Sequence, residues 1–167
     1  MSQDPDAEQR TVAVLERLGL PYELIRIDPE FADTAAFCER YGYPPEHAAN
    51  AILVASKKEP KQHAACVVLA TTRLDVNHAV RDQMGVSKVS FATAEEMAQL
   101  TGMTVGGVTV FGLPDTIPIY VDERVMALDW VILGTGGRNG KIKMAPEVFR
   151  RLPNVRVVAG LAQPRPS

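Results

Sequence analysis

Apolar positions along the chain follow two periods, and the switches between them mark out the elements. Thr11, Val14, Leu15 and Leu18 recur at helical spacing behind an Asp6–Gln9 pair that resembles a capping box, and Gly19 and Pro21 end the segment. Tyr22 to Ile27 is short and rich in aromatic and branched residues, which predicts a strand. Asp33 can cap a second helix carrying Ala36, Phe37 and Tyr41, with Gly42 as its stop. Ala51 to Ala55 and Ala64 to Leu69 are continuous apolar runs separated by the polar turn 57–62, so a central hairpin is expected. Asp75 opens a further helix with Val76, Ala79, Val80 and Met84 inward and Gly85 as its stop, and Val89 to Phe91 can add a short strand. Thr93 and Glu96 form a second capping box, for a helix through Leu100.

The stretch from Thr101 to Pro114 breaks this rhythm. Gly106, Gly107 and Gly112 fall within it, which excludes an ordinary helix and predicts a shaped loop. Beyond it, Ile117 to Val121 and Asp129 to Leu133 read as strands. Asn139-Gly140 predicts a hairpin turn into the alternating Lys141-Ile-Lys-Met144. Pro146 starts a last helix to about Leu152, and Val155 to Val158 can close the sheet. The whole is an α/β (α+β) mixture with hairpins, which favours a mixed sheet over a doubly wound one.

Composition narrows the class. The 167 residues, 46% hydrophobic and 23% charged, suit one domain spanning 1–167 with an ordered core over about 6–158. The polar, proline-punctuated ends 1–5 and 162–167 are expected to fray. A signal peptide and a long apolar span are both missing from the pattern, so a cytoplasmic protein with no membrane partner is expected. Net charge is −2, so the field of the whole molecule does not draw in DNA, and any RNA contact has to be local. The basic groups Lys57, Lys58 and Lys61, and Arg138, Lys141 and Lys143, read first as solvated faces and second as such contacts. Cys38 and Cys66 sit in no metal-ligand spacing, and no metal site and no cofactor is expected.

Chemistry-bearing motifs are few. Gly134-Thr-Gly-Gly-Arg-Asn-Gly-Lys141 suggests a phosphate loop but fails it, because Thr135 stands where the first glycine belongs and Ile142 where a hydroxyl belongs. The glycines either make a hairpin corner or let backbone N–H groups approach a ligand. His47, His63 and His78 lie far apart with no nucleophile elbow or zinc helix beside them. Cys66, inside an apolar strand, reads as core packing rather than as a nucleophile.

Four segments, in order, carry a resemblance. Thr101-Gly-Met-Thr-Val-Gly-Gly-Val-Thr-Val-Phe-Gly112 resembles the glycine loop of the YbaK family, which includes the editing insertion of bacterial prolyl-tRNA synthetase. Leu15 to Tyr22, Val121-Asp-Glu123, and Gly134 to Gly140 ahead of Ala145-Pro-Glu147 fall in register with it, so the match runs from about Val12 to Val157. The resemblance implies a mixed, curved, mostly antiparallel sheet wrapped by helices. It also implies an aminoacyl-tRNA deacylase acting in trans on mischarged tRNA, for instance tRNA(Pro) carrying Cys, Ala or another small amino acid. Its partners would be the aminoacyl-tRNA acceptor end and an aminoacyl-tRNA synthetase. On this reading Gly106, Gly107 and Gly112 shape the catalytic pocket, while Gly134, Gly136 and Gly137 close it around the adenosine end. The resemblance also implies that the substrate's own ribose hydroxyl helps to position water, in which case no strong side-chain nucleophile is needed.

Three positions depart from the family pattern, and they are the remaining candidate substrate-binding residues. Asn50 stands where many members carry a lysine, Val110 replaces the loop proline, and Lys141 aligns with an acidic residue of the Cys-tRNA deacylases. Lys57 cannot substitute for the first of these, since seven strand residues at ~3.3 Å each put it about 23 Å away. A non-catalytic module of the same fold that binds aminoacyl-tRNA or adenosine is the alternative. Pocket size would depend on Phe31, Ile52, Val76 and Met103.

Overall fold

A computed structural model describes residues 5–104 and 106–165. Helix α1 (Pro5–Leu18) leads into β1 (Tyr22–Arg26), α2 (Thr34–Tyr41) and the hairpin β2 (Ala49–Ser56) and β3 (His63–Leu69). Then come β4 (Thr72–Leu74), a π-helical turn Val76–Val80 running into α3 (Arg81–Met84), β5 (Val89–Phe91) and α4 (Ala94–Thr101). After the glycine loop follow β6 (Ile119–Asp122), α5 (Glu123–Met126), β7 (Val131–Gly134), β8 (Gly140–Met144), α6 (Glu147–Arg150), β9 (Val155–Val158) and β10 (Ala162–Pro164).

The strands form three sheets rather than one: β5-β2-β3-β6-β9, β1-β8-β7 and β10-β4. Most pairings are antiparallel, and β3-β6-β9 supply the parallel ones, so the fold is the expected mixed α/β arrangement. The main core lies where apolar residues of the large sheet (Leu53, Val67, Ile119, Val121) meet Leu15 of α1, Phe111 of the glycine loop, Leu133 and Ile142. Phe111 and Phe149 stack there at 6.0 Å, which fastens the end of the glycine loop to α6.

Several local expectations need correction. Helix α1 already includes Asp6, so its start lies ahead of the capping box read there. Asp33 precedes α2 without a side-chain cap bond, and its carboxylate is 3.8 Å from Arg138 instead. Neither Asn139 nor Gly140 has the positive φ that their turn type demands; Gly136, at φ 100°, makes the corner, and Gly140 already pairs with Arg26. The C-terminal segment, expected to fray, is strand β10, because Leu161 and Ala162 are fully buried and the segment pairs with β4. Expected fraying at 1–4 and 166–167 lies outside the described residues.

The second capping box is formed as read. Thr93 Oγ1 accepts from Glu96 N–H at 3.0 Å, and the Glu96 carboxylate accepts from Thr93 N–H at 3.1 Å. That bond and the one with His63 Nε2 (3.1 Å) hold the Glu96 carboxyl down to about 2. Its stabilising effect is present above the ordinary carboxylate value and is lost as pH falls toward 2. Thr93→Ala is expected to cost about 1 kcal/mol, read as a thermal midpoint lowered by roughly 2–4 °C; an unchanged melt would remove the box from the stability of α4.

Candidate functional site

Strand β2 is open along part of one edge. At its start Ala48 bridges to Ile132 of β7, and at its end Val54 to Ser56 pair with β5. Between these points the edge has no strand neighbour among the described residues. Strand alternation directs the N–H and C=O of Ala51 outward there, since Ala48 O and Ser56 N–H bond on the β3 side, to Ala70 and Gln62, while Leu53 O accepts from Ala92 N–H on the other. A cleft of about 430 Å³ fills the gap. Its volume falls within the ~300–1,000 Å³ typical of small-ligand sites. Ala49, Leu53, Ala92 and Met97 give it apolar walls, and Asp33, Thr34, Asn50 and Lys141 give it polar corners.

Glycines make the floor. Gly106 and Gly134 line the cleft, and behind them the two glycine loops touch backbone to backbone. The Gly136 N–H donates to Gly107 O at 2.6 Å, and a Cβ on Gly107 would sit 2.0 Å from Gly137 O. A Cβ on Gly134 would sit 2.6 Å from Gly107 O. The missing side chains thus let the loops approach each other. The amides of Gly107, Gly136 and Gly137 are spent on Thr104 O, Gly107 O and Thr135 Oγ1. Among the described residues no hydrogen bond engages the amides of Gly106 and Val108, both of which line the cleft.

Lys141 enters from β8 and is 4% exposed. Its Nζ donates to Gly106 O at 3.0 Å and lies 5.7 Å from the centroid of the Phe37 ring. Burial lowers the Lys141 ammonium to about 8; Asp33 opposes that shift and Arg138 adds to it. Cys38 beside it also opposes the Lys141 shift, and burial raises the Cys38 thiol itself. Asn50 is oriented by the Thr34 hydroxyl, which donates to its side-chain oxygen, so the Asn50 amide nitrogen is the donor left for the cleft. Arg138 spans the rim: besides meeting Asp33, it donates to Pro29 O at 3.0 Å.

Of the residues singled out in the sequence, Asn50, Gly106, Gly134 and Lys141 meet at the cleft, and Gly107, Gly136 and Gly137 stand behind it. Two do not reach it. Val110 is 2% exposed in the main core, and Gly112, at φ 83°, packs on Arg10 of α1. Ile52 lines the cleft, whereas Val76 borders a neighbouring depression and Met103 is buried. The histidines remain apart: His47 stacks on Trp130, His63 pairs with Glu96 and His78 with Asp75. Burial drives the Cys66 thiol up to about 12, which suits packing and not attack. Asp33, Thr34 and the Ala51 edge are contributors that pattern reading missed; Asp33-Thr34 carries only a capping signal in sequence.

The fold and cleft together define a small α+β domain with a cleft between a split sheet edge and paired glycine loops. The model of the aminoacyl-tRNA editing domain matches residues 28–152, and the chain belongs to that family, whose broad function is the editing of aminoacyl-tRNA. Solved structures agree on the fold. The hypothetical protein APE2540 is 25% identical, with a TM-score of 0.81 over 92% of this chain and 99% of that one. A proposed trans-editing enzyme for prolyl-tRNA synthetase is 20% identical, with a TM-score of 0.80 over 97% and 99%. A scaffold protein used for computational epitope grafting is 18% identical, with a TM-score of 0.79 over 97% and 100%. Among the described residues no helix is long and apolar enough to cross a membrane.

Proposed function

We propose that the protein is a deacylase that releases a small amino acid from mischarged tRNA in trans. The observation that carries this reading is the buried Lys141 ammonium bound to Gly106 O inside an otherwise largely apolar cleft. A cation in that place answers the departure at Asn50: the cleft keeps a lysine, delivered from β8 instead of β2. Lys141 and the Asn50 amide suit the ester and ribose oxygens, Asp33 suits the substrate's α-ammonium group, and the alanine-rich walls suit a short side chain. The likeness to a proposed trans-editing enzyme for prolyl-tRNA synthetase supports tRNA(Pro) as the first tRNA to test.

In the reaction, water adds to the ester carbonyl carbon, and the bond from that carbon to the ribose oxygen breaks. The ribose oxygen takes up a proton and leaves as a hydroxyl, giving free amino acid and uncharged tRNA. The amides of Gly106 and Val108 are the donors available to the tetrahedral oxyanion, with the Lys141 charge nearby. The vicinal ribose hydroxyl of the substrate positions the water, as the family resemblance implies, and the ester, already an activated acyl group, needs no protein nucleophile.

The test is release of labelled amino acid from Cys-, Ala- and Ser-tRNA(Pro) by the purified protein, with and without chelator. Chelator-insensitive release from one of these is expected. Binding of the charged tRNA without any release would favour the non-catalytic module of the same fold.

A further inference from the structure

Three depressions adjoin along the β5 side of the molecule. The ester cleft and a second one, of about 520 Å³, share Phe91 on their common rim. The second and a third, of about 540 Å³, share Asn77, His78 and Val89. Phe91 is 59% exposed at the end of an edge strand, more than any other large hydrophobic among the described residues. An aromatic face left in water at a cleft mouth is a stacking platform for a base, and its π-face serves any base.

Past Phe91 the lining turns basic. Arg73 and His78 border the second depression, and Lys57, Arg81 and Lys88 border the third. These cations come from separate parts of the chain and are drawn together by structure: the Lys57 N–H donates to Lys88 O at 3.0 Å, and Arg81 stands on α3 beside them. Among the residues that line these two depressions the one carboxylate is Asp75, which meets His78 at 3.2 Å; the exposed Asp82 lies 3.9 Å from Arg81. Among the described residues neither Lys57, Lys88 nor Arg73 has a carboxylate at salt-bridge distance. A chain of net charge −2 therefore concentrates unpaired positive charge along one path from the cleft mouth.

We propose that the single-stranded 3′ acceptor end of a tRNA lies along this path, a terminal base stacked on Phe91 and its phosphates against Lys57, Arg81 and Lys88. The proposal rests on the reading of the first depression as the ester site. An esterified terminal nucleotide held there has to leave through the cleft mouth, and the order met on the way out, an aromatic and then spaced cations, is the order a base followed by a backbone requires.

Binding of an uncharged, fluorescent acceptor minihelix with a 3′ overhang reads this path without any ester chemistry. The triple variant Lys57→Ala, Arg81→Ala, Lys88→Ala is expected to weaken binding at least tenfold and to flatten the dependence of log K on log salt by roughly two. Phe91→Ala is expected to weaken binding roughly five- to hundredfold with the salt slope unchanged, and Phe91→Trp to restore it. Wild-type affinity in both variants, or no measurable binding by the wild type, overturns the path. Hydrolysis of 3′-aminoacyl-adenosine, too short to reach the cations, is expected to be the same in the triple variant and the wild type. Its absence from the wild type would sink the ester-site reading, while the minihelix result still decides the path.

Discussion

Gly107→Ala is expected to lower turnover about 100-fold and to cost about 3 kcal/mol, the upper end of what overpacking a tight contact brings. The added methyl would sit 2.0 Å from Gly137 O and 2.6 Å from its carbonyl carbon. Those are backbone atoms, so no side chain can swing aside. The two glycine loops would have to separate by more than an ångström, breaking the bond from Gly136 N–H to Gly107 O and moving the Gly106 carbonyl away from Lys141. A misplacement of that size costs about 100-fold in rate when the reacting groups depend on the loop. The thermal midpoint should fall by roughly 6–12 °C for a domain of this size. Gly19→Ala is the control: Gly19 has φ 75° but nothing within 4 Å of a new Cβ, so it shows left-handed strain of about 1 kcal/mol alone. A Gly107→Ala protein that melts and turns over like the wild type would mean that the loops do not depend on this contact.

The sequence carried the glycine loops and the hairpin but not the reason for them. In one dimension a missing side chain reads as room for a ligand. In three, Gly107 and Gly137 spend that room on each other, and only a fold that brings the 101–112 and 134–140 segments together reveals it. The alternation Lys141-Ile142-Lys143 was equally legible, and Ile142 does point into the core. What no local pattern could tell is that α2 covers the opposite face, so that Lys141 is buried near Phe37 while Lys143 reaches the Trp130 ring at 4.5 Å. Strand β10 was missed for a similar reason. Its short polar run has no apolar period, and its order comes from backbone pairing with β4 and from the burial of Leu161 and Ala162. Val110 is the reverse case: alignment to a loop proline suggested a pocket residue, but a branched apolar side chain beside Phe111 follows the core.

Lys141→Met is expected to lower turnover by 100-fold or more while raising stability at pH 7, a combination that a purely structural lysine would not give. The folded protein holds the Lys141 ammonium at about 8 against an ordinary 10.5. The gap, at about 1.4 kcal/mol per pH unit, makes burial of the charge cost about 3 kcal/mol at neutral pH. Methionine fills similar space and removes that cost. It also loses the bond to Gly106 O, about 1–2 kcal/mol, so a net gain of roughly 1–2 kcal/mol is expected. The sign with pH follows from which state holds the proton. Between about 8 and 10.5 the unfolded chain keeps a proton that the folded chain has released, so the lysine's penalty is complete below about 8 and fades as pH rises through that window. The stability advantage of Lys141→Met should therefore be largest at pH 7 and should be gone or slightly reversed by about pH 10, where about 0.8 kcal/mol of the charge penalty is left to set against the lost hydrogen bond. Denaturant unfolding of both proteins at the two pH values, beside hydrolysis at pH 7, checks each part. A variant less stable than the wild type at pH 7 would deny the buried charge, and one that turns over normally would deny it a place in the reaction.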